Sequence, residues 1–162
     1  WRLDEEISDE FLQMLDSVCR KDARIVAAFM GKYQNYEESI KKYPLLAANS
    51  RCLGAQEDAL AVTECMDLYV NPKRNGGGSS VAEALYKGLP AVTLPVGDVS
   101  AAAGESFRVA DYGEMAETIL HFASDEDYYE RMSRLAEERA EQLMDSKNSF
   151  CGVIDELEQD MN

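Results

Sequence analysis

Positive charge is scarce in this 162-residue chain, in which 16 Lys and Arg stand against 31 Asp and Glu for a formal net charge of -15. Such a balance repels polyanions on average, which argues against DNA, RNA or an anionic membrane as partners and requires any phosphate ligand to be held locally. Histidine is nearly absent. The only one, His121, lies beside Phe122 in a helical pattern, with no Ser, Cys or carboxylate constellation suited to a triad or a metal. It reads as structural. The four cysteines, Cys19, Cys52, Cys65 and Cys151, lack CxxC spacing, and a chain of this size does not need a disulfide framework. They read as reduced thiols, three of them in the core. No apolar run reaches the roughly 20 residues needed to cross a bilayer, and no charged-then-apolar signal opens the chain. A soluble, cytoplasmic protein is expected.

What is present is enough for one domain with a real core, since 46% of the residues are apolar. Phe11, Leu12, Leu15 and Val18 follow the candidate cap Ser8 at helical spacing, predicting a helix that ends near Lys21. The run "ARIVAAFMG" predicts a strand buried on both faces. A short helix over 36–43 stopped by Pro44, a strand at "RCLG", a helix over 56–65, a strand at "DLYVNP", a helix at "SVAEALYKG" and a strand at "PAVTLP" follow in turn. After Pro95 the pattern reads as a loop to Gly113, with Gly97, Asp98 and Gly104 as turn formers, and then as helices over 114–123 and 125–145. Glu137, Glu138 and Glu141 in the last of these are interleaved with Arg131, Arg134 and Arg139, so solvated helix pairing accounts for them without a metal. The residues "DELEQDMN" are expected to fray. Alternation of strands with crossover helices predicts an α/β, Rossmann-like three-layer α/β/α domain around a parallel sheet.

One stretch stands out. In "NGGGSS", Asn75 to Ser80, three consecutive glycines lie between a strand and a helix, the place where ligands bind in an open parallel sheet. Glycine lets a backbone approach a ligand closely, and the amides and dipole at a helix start attract an anion such as a diphosphate. Ser79 and Ser80 add hydroxyl donors. A second reading uses the same residues differently: Ser80 with Glu83 forms a capping box, and Gly88 with Pro90 ends the helix. The local pattern leaves both open, because the loop is neither a P-loop nor a dinucleotide fingerprint.

The segment "DLYVNPKRNGGGSSVAEALYKGLPAVTLP" resembles the nucleotide-binding half of GT-B glycosyltransferases. Gly76 and Gly78 match the loop glycines of retaining members, Glu83 the following acid, and Gly88, Pro90 and Val92 the closing element. The paired serines and "GLPAVTLP" are also similar to the O-GlcNAc transferase group, which is inverting. The resemblance covers most of the chain and implies that residues 1–162 are one C-terminal donor-binding domain, in a chain that starts internally and lacks an N-terminal acceptor domain. It implies a nucleotide-sugar co-substrate, a UDP-sugar, with no further cofactor and no metal.

In this resemblance Asn75, Gly76, Gly77, Gly78, Ser79 and Ser80 cup the donor diphosphate and sugar, Glu83 binds ribose hydroxyls, and Arg51 and Leu53, with Gly54, lie where the base is recognised. Asn75 stands where retaining members carry a Glu; its amide can hydrogen-bond a hydroxyl but cannot stabilise positive charge. Ile7 stands near the position of an expected Lys, leaving Arg2, Lys73 or Arg74 to neutralise the diphosphate. No residue of this chain fits the role of a general base, so the isolated domain is expected to bind a donor without turnover. The alternatives are a catalytically silent GT-B-like binding or scaffold module, or half of a UDP-sugar 2-epimerase-like enzyme.

Overall fold

The computed structural model describes residues 2–145. Cys151 and the expected fraying of 155–162 lie outside the described residues.

A short helix, α1 (Leu3–Glu6), precedes α2 (Asp9–Lys21). The Ser8 hydroxyl accepts from the Phe11 amide at 3.2 Å and so sets the start of α2 as its position predicts. Phe11, Leu12, Leu15, Val18 and Cys19 then form a buried stripe on one side of that helix. Strand β1 (Ala27–Met30) pairs in parallel with β2 (Ser50–Gly54), joined through α3 (Tyr36–Ile40) and α4 (Pro44–Ala48). Helix α5 (Ala59–Thr63) leads to β3 (Tyr69–Val70), and α6 (Gly78–Tyr86) crosses over to β4 (Ala91–Val92), again in parallel. The chain closes with α7 (Gly97–Ala103), a 3-10 turn at Glu105–Phe107, α8 (Tyr112–Ser124) and α9 (Glu126–Met144).

This is the expected parallel α/β architecture. All four strands follow the crossover logic, and two single parallel bridges, Arg2 with Lys32 and Thr93 with Arg108, extend the pairing beyond the named strands. The core runs between the layers, where Val18, Leu46, Val81, Leu85, Val92, Val99 and Met115 are completely buried. No helix among the described residues is long and apolar enough to cross a membrane.

Several local expectations need correcting. Pro44 does not merely stop α3; its fixed φ suits the first turn of a helix, and it opens α4. The two leading amides of that helix, Leu45 and Leu46, each donate to Asp16 Oδ1 at 2.9 Å, which explains a buried carboxylate on α2. The stretch after Pro95 is not an open loop. Val99, Ser100 and Ala103 are buried on α7, and the Thr93–Arg108 bridge adds strand pairing that a run of small residues does not announce. Strand β1 is not buried on both faces, since Phe29 is covered while Ala28 is exposed. Only Cys19 of the described cysteines is buried; Cys52 is half-buried and Cys65 exposed. All three are free thiols.

Candidate functional site

The site begins at the carboxyl end of β3. The Tyr69 amide donates to Pro90 O and the Asn71 amide to Val92 O, so the strand is held against β4 up to the residue where the loop departs. Asn71 is 1% exposed, and its amide nitrogen donates to Pro72 O at 2.8 Å. From there Lys73, Arg74, Asn75 and Gly76 carry the chain to Gly77, which has φ +112 and serves as the N-cap of α6. The helix thus begins two residues before Ser80. The Ser80–Glu83 capping box does not form: Ser80 is already within the helix, and its hydroxyl donates back to Gly77 O at 3.1 Å. A left-handed Gly at the cap leaves no side chain to satisfy the helix amides, and that is where the expectation fails.

Two segments hold the loop from outside. The Asp98 amide donates to Asn75 O at 3.0 Å, while Asp98 Oδ1 accepts from the Gly78 amide at 3.1 Å. Gly97 makes this approach possible. It has φ +71, and a Cβ there would lie 2.5 Å from Asn75 O and 2.7 Å from Arg74 O. On the other flank the Lys73 amide donates to the Tyr112 hydroxyl at 3.1 Å, fastening the loop to the first residue of α8.

Beneath the loop lies a polar cluster that sequence reasoning missed. Arg74 Nη1 meets Glu6 Oε2 at 2.5 Å, its Nε donates to Asn71 Oδ1 at 2.8 Å, and its Nη2 donates to the Tyr69 hydroxyl at 3.3 Å. The Tyr69 hydroxyl in turn lies 2.9 Å from Ser80 Oγ. A strand tyrosine and an N-terminal glutamate carry no local signal of this kind. The partners of Arg74 are up to 68 residues away in sequence.

The amides tell the rest. Among the described residues, those of Gly76, Gly77, Ser79 and Ser80 have no hydrogen-bond acceptor, and that of Gly78 is taken by Asp98. Four donors therefore lie around one helix start without an acceptor among the described residues, that of Gly77 on a buried residue. Unpaired amides around a helix start form an anion-binding concavity. Exposed side chains ring it: Lys73, Asn75, Ser79 and, one turn into α6, Glu83. Arg2, also exposed, reaches Glu5 at 3.3 Å. Leu53 lies next to the carboxyl end of β2, whereas Arg51 is the second residue of that strand, where its Nη1 donates to Ser50 O at 2.6 Å.

Residues 2–125 match the family profile described as "Glycosyl transferases group 1". The chain belongs to that family. Solved glycosyltransferases of the GT-B type share its fold. Anabaena HepE in complex with UDP superposes with a TM-score of 0.74 at 16% identity, over 98% of this chain and 47% of HepE. An O-GlcNAc transferase of Thermobaculum terrenum gives 0.78 at 15% identity, over 96% of this chain and 34% of that one. WaaG, a glycosyltransferase involved in lipopolysaccharide biosynthesis, gives 0.72 at 15%, over 86% and 40%. This group 1 chain thus spans between a third and a half of the length of these structures. Comparison with curated protein sequences returns no match.

Proposed function

We propose that this group 1 chain is the donor-binding half of a glycosyltransferase that takes a UDP-sugar and works with an N-terminal acceptor domain of the same full-length protein. The observation that carries the reading is the set of unpartnered amides of Gly76, Gly77, Ser79 and Ser80 at the carboxyl end of β3. Donors fixed in that way favour negative charge developing on a departing nucleoside diphosphate and need no reorganisation to do so. HepE, which shares the fold, is seen with UDP and with UDP-glucose.

The roles follow from position. The diphosphate takes the four open amides, and Asn75 reaches a donor-sugar hydroxyl. Glu83, exposed and without a partner among the described residues, accepts from the ribose hydroxyls. Lys73 and Arg2 supply exposed cations at the rim. Arg51 and Leu53 face the base. Calorimetric titration of the full-length protein with UDP, GDP and UDP-sugars tests this; saturable UDP binding is expected, and no binding of any nucleotide overturns it.

A second reading, a binding module that has lost its chemistry, is favoured by Asn75 and Ile7 standing in place of the Glu and Lys of retaining members. Nucleotide binding by the full-length protein without transfer or hydrolysis of any UDP-sugar supports it. Loss of a measurable transferase activity in Glu83→Ala counts against it.

A further inference from the structure

The guanidinium of Arg74 is an unusual thing to find beside a candidate anion site, because protein groups already engage it. Its side chain is 9% exposed, and Glu6, Asn71 and Tyr69 each accept a hydrogen bond from it. A partly buried pair of this kind contributes little net stability, since desolvation of the guanidinium offsets the attraction. What it provides is geometry. We infer that Arg74, held by Glu6, is a positioning residue that shapes the glycine loop from beneath for its diphosphate ligand, without touching that ligand; the inference rests on the donor-binding reading above.

The fit between guanidinium and loop argues for this. A Cβ at Gly77 would lie 2.6 Å from Arg74 Nη2, so the space a side chain would fill is occupied by the guanidinium. The backbone of Gly77, with φ +112, is therefore laid directly over Arg74. Tyr69 extends the support to α6, because its hydroxyl meets both Nη2 and Ser80 Oγ, and Ser80 Oγ donates to Gly77 O. Two of the four open amides, those of Gly77 and Ser80, belong to residues this cluster touches. A planar fork with several donors can hold Glu6, Asn71 and Tyr69 together, and a lysine ammonium cannot.

Glu6 is itself fixed. It ends α1, and at the other end of the same helix Asp4 accepts from the amides of Gln34 at 2.9 Å and Asn35 at 2.7 Å. Helix α1 thus fastens the segment after β1 with one carboxylate and the segment after β3 with another.

The test uses the full-length protein with Arg74→Lys, Glu6→Gln and the milder Tyr69→Phe, which keeps the ring and removes only the bridging hydroxyl. UDP affinity is read by calorimetry, amide exchange over residues 71–80 by mass spectrometry, and the unfolding midpoint by calorimetric scanning. Expected are a loss of UDP affinity of about tenfold or more in Arg74→Lys and Glu6→Gln, faster exchange confined to the loop, and a smaller loss of both kinds in Tyr69→Phe. A general loss of stability would instead move the midpoint and speed exchange throughout. UDP binding within about twofold of wild type with unchanged loop exchange overturns the inference, as does tighter binding in Glu6→Gln, which would make Arg74 a phosphate ligand held back by its partner. If wild-type protein binds no UDP, the donor reading fails alone, and loop exchange in the three variants still decides whether Arg74 positions the glycines. If Arg74→Lys does not fold, the other two variants decide.

Discussion

The loop after β3 and the turn after β2 both stand at carboxyl ends of parallel strands, and both are assigned contacts with one ligand, yet they are secured in different ways. The β3 loop is tied at long range by Glu6, Asp98 and Tyr112, and two of its close approaches exist only because Gly77 and Gly97 lack side chains. On β2 and in the turn after it, Arg51 bonds to its own neighbour, Gln56 donates to Leu53 O, and a Cβ at Gly54 would meet nothing within 4 Å. On the proposed donor-binding reading, the tighter fastening falls on the loop that would meet the diphosphate. A base can be recognised by a looser surface because its contacts are spread over a flat ring, whereas a diphosphate depends on several donors being aimed at once.

The largest test of that contrast is Gly97→Ala. The new methyl group meets backbone oxygens that cannot turn aside, at a φ that disfavours side chains, and a destabilisation of about 3 kcal/mol in urea unfolding is expected together with loss of UDP binding. Gly77→Ala follows. Its methyl group meets the end of a side chain instead of backbone, so about 2 kcal/mol is expected in the same assay. A change under about 0.5 kcal/mol in both would show that the β3 loop is no tighter than the turn after β2.

Asp98→Ala sharpens the comparison from the other direction. It frees the Gly78 amide and removes a carboxylate from the helix mouth, so stability falls by at most about 1 kcal/mol while UDP binds as tightly as before or more tightly. Weaker UDP binding would mean that Asp98 orders the loop more than it competes for it. The smallest effect belongs to β2, the more loosely held side of the comparison. Arg51→Ala is expected to leave the unfolding free energy within about 0.5 kcal/mol of wild type and to lower the affinity for UDP only a few-fold, with inorganic pyrophosphate binding unchanged. Calorimetry with the two ligands separates a base contact from a phosphate contact.

Much of the architecture was legible because it rests on local rules. The Ser8 cap, the buried stripe of α2 and the alternation of strand with helix repeat signals a few residues apart. Failures came where a contact across the chain replaced a local one. The glycine loop is visible as a loop, but the start of α6 is not, because its first amide is held by Asp98 from 20 residues away and Ser80 lies inside the helix instead of capping it. The order within α7 escaped for a related reason: its small residues pack on α6, and the pattern of "VSAAA" has too few large apolar side chains to show a period. By its charge Arg74 reads as one of three cations available to a diphosphate. Its true neighbours, Glu6, Tyr69 and Asn71, become visible only once the strands are brought side by side.

Helix α1 has a mechanical consequence. It is only four residues long and is pinned at both ends, by Asp4 to the amides of Gln34 and Asn35 and by Glu6 to Arg74. The Asn35 amide does most to hold the Asp4 carboxyl below its ordinary range, followed by that of Gln34. That anchor is therefore engaged at neutral pH and slackens only as acid protonates it below the range of a free carboxylate. One turn of backbone thus joins the two anchors, and the segment after β1 and the floor of the glycine loop share a single fastening, like two doors hung on one hinge pin.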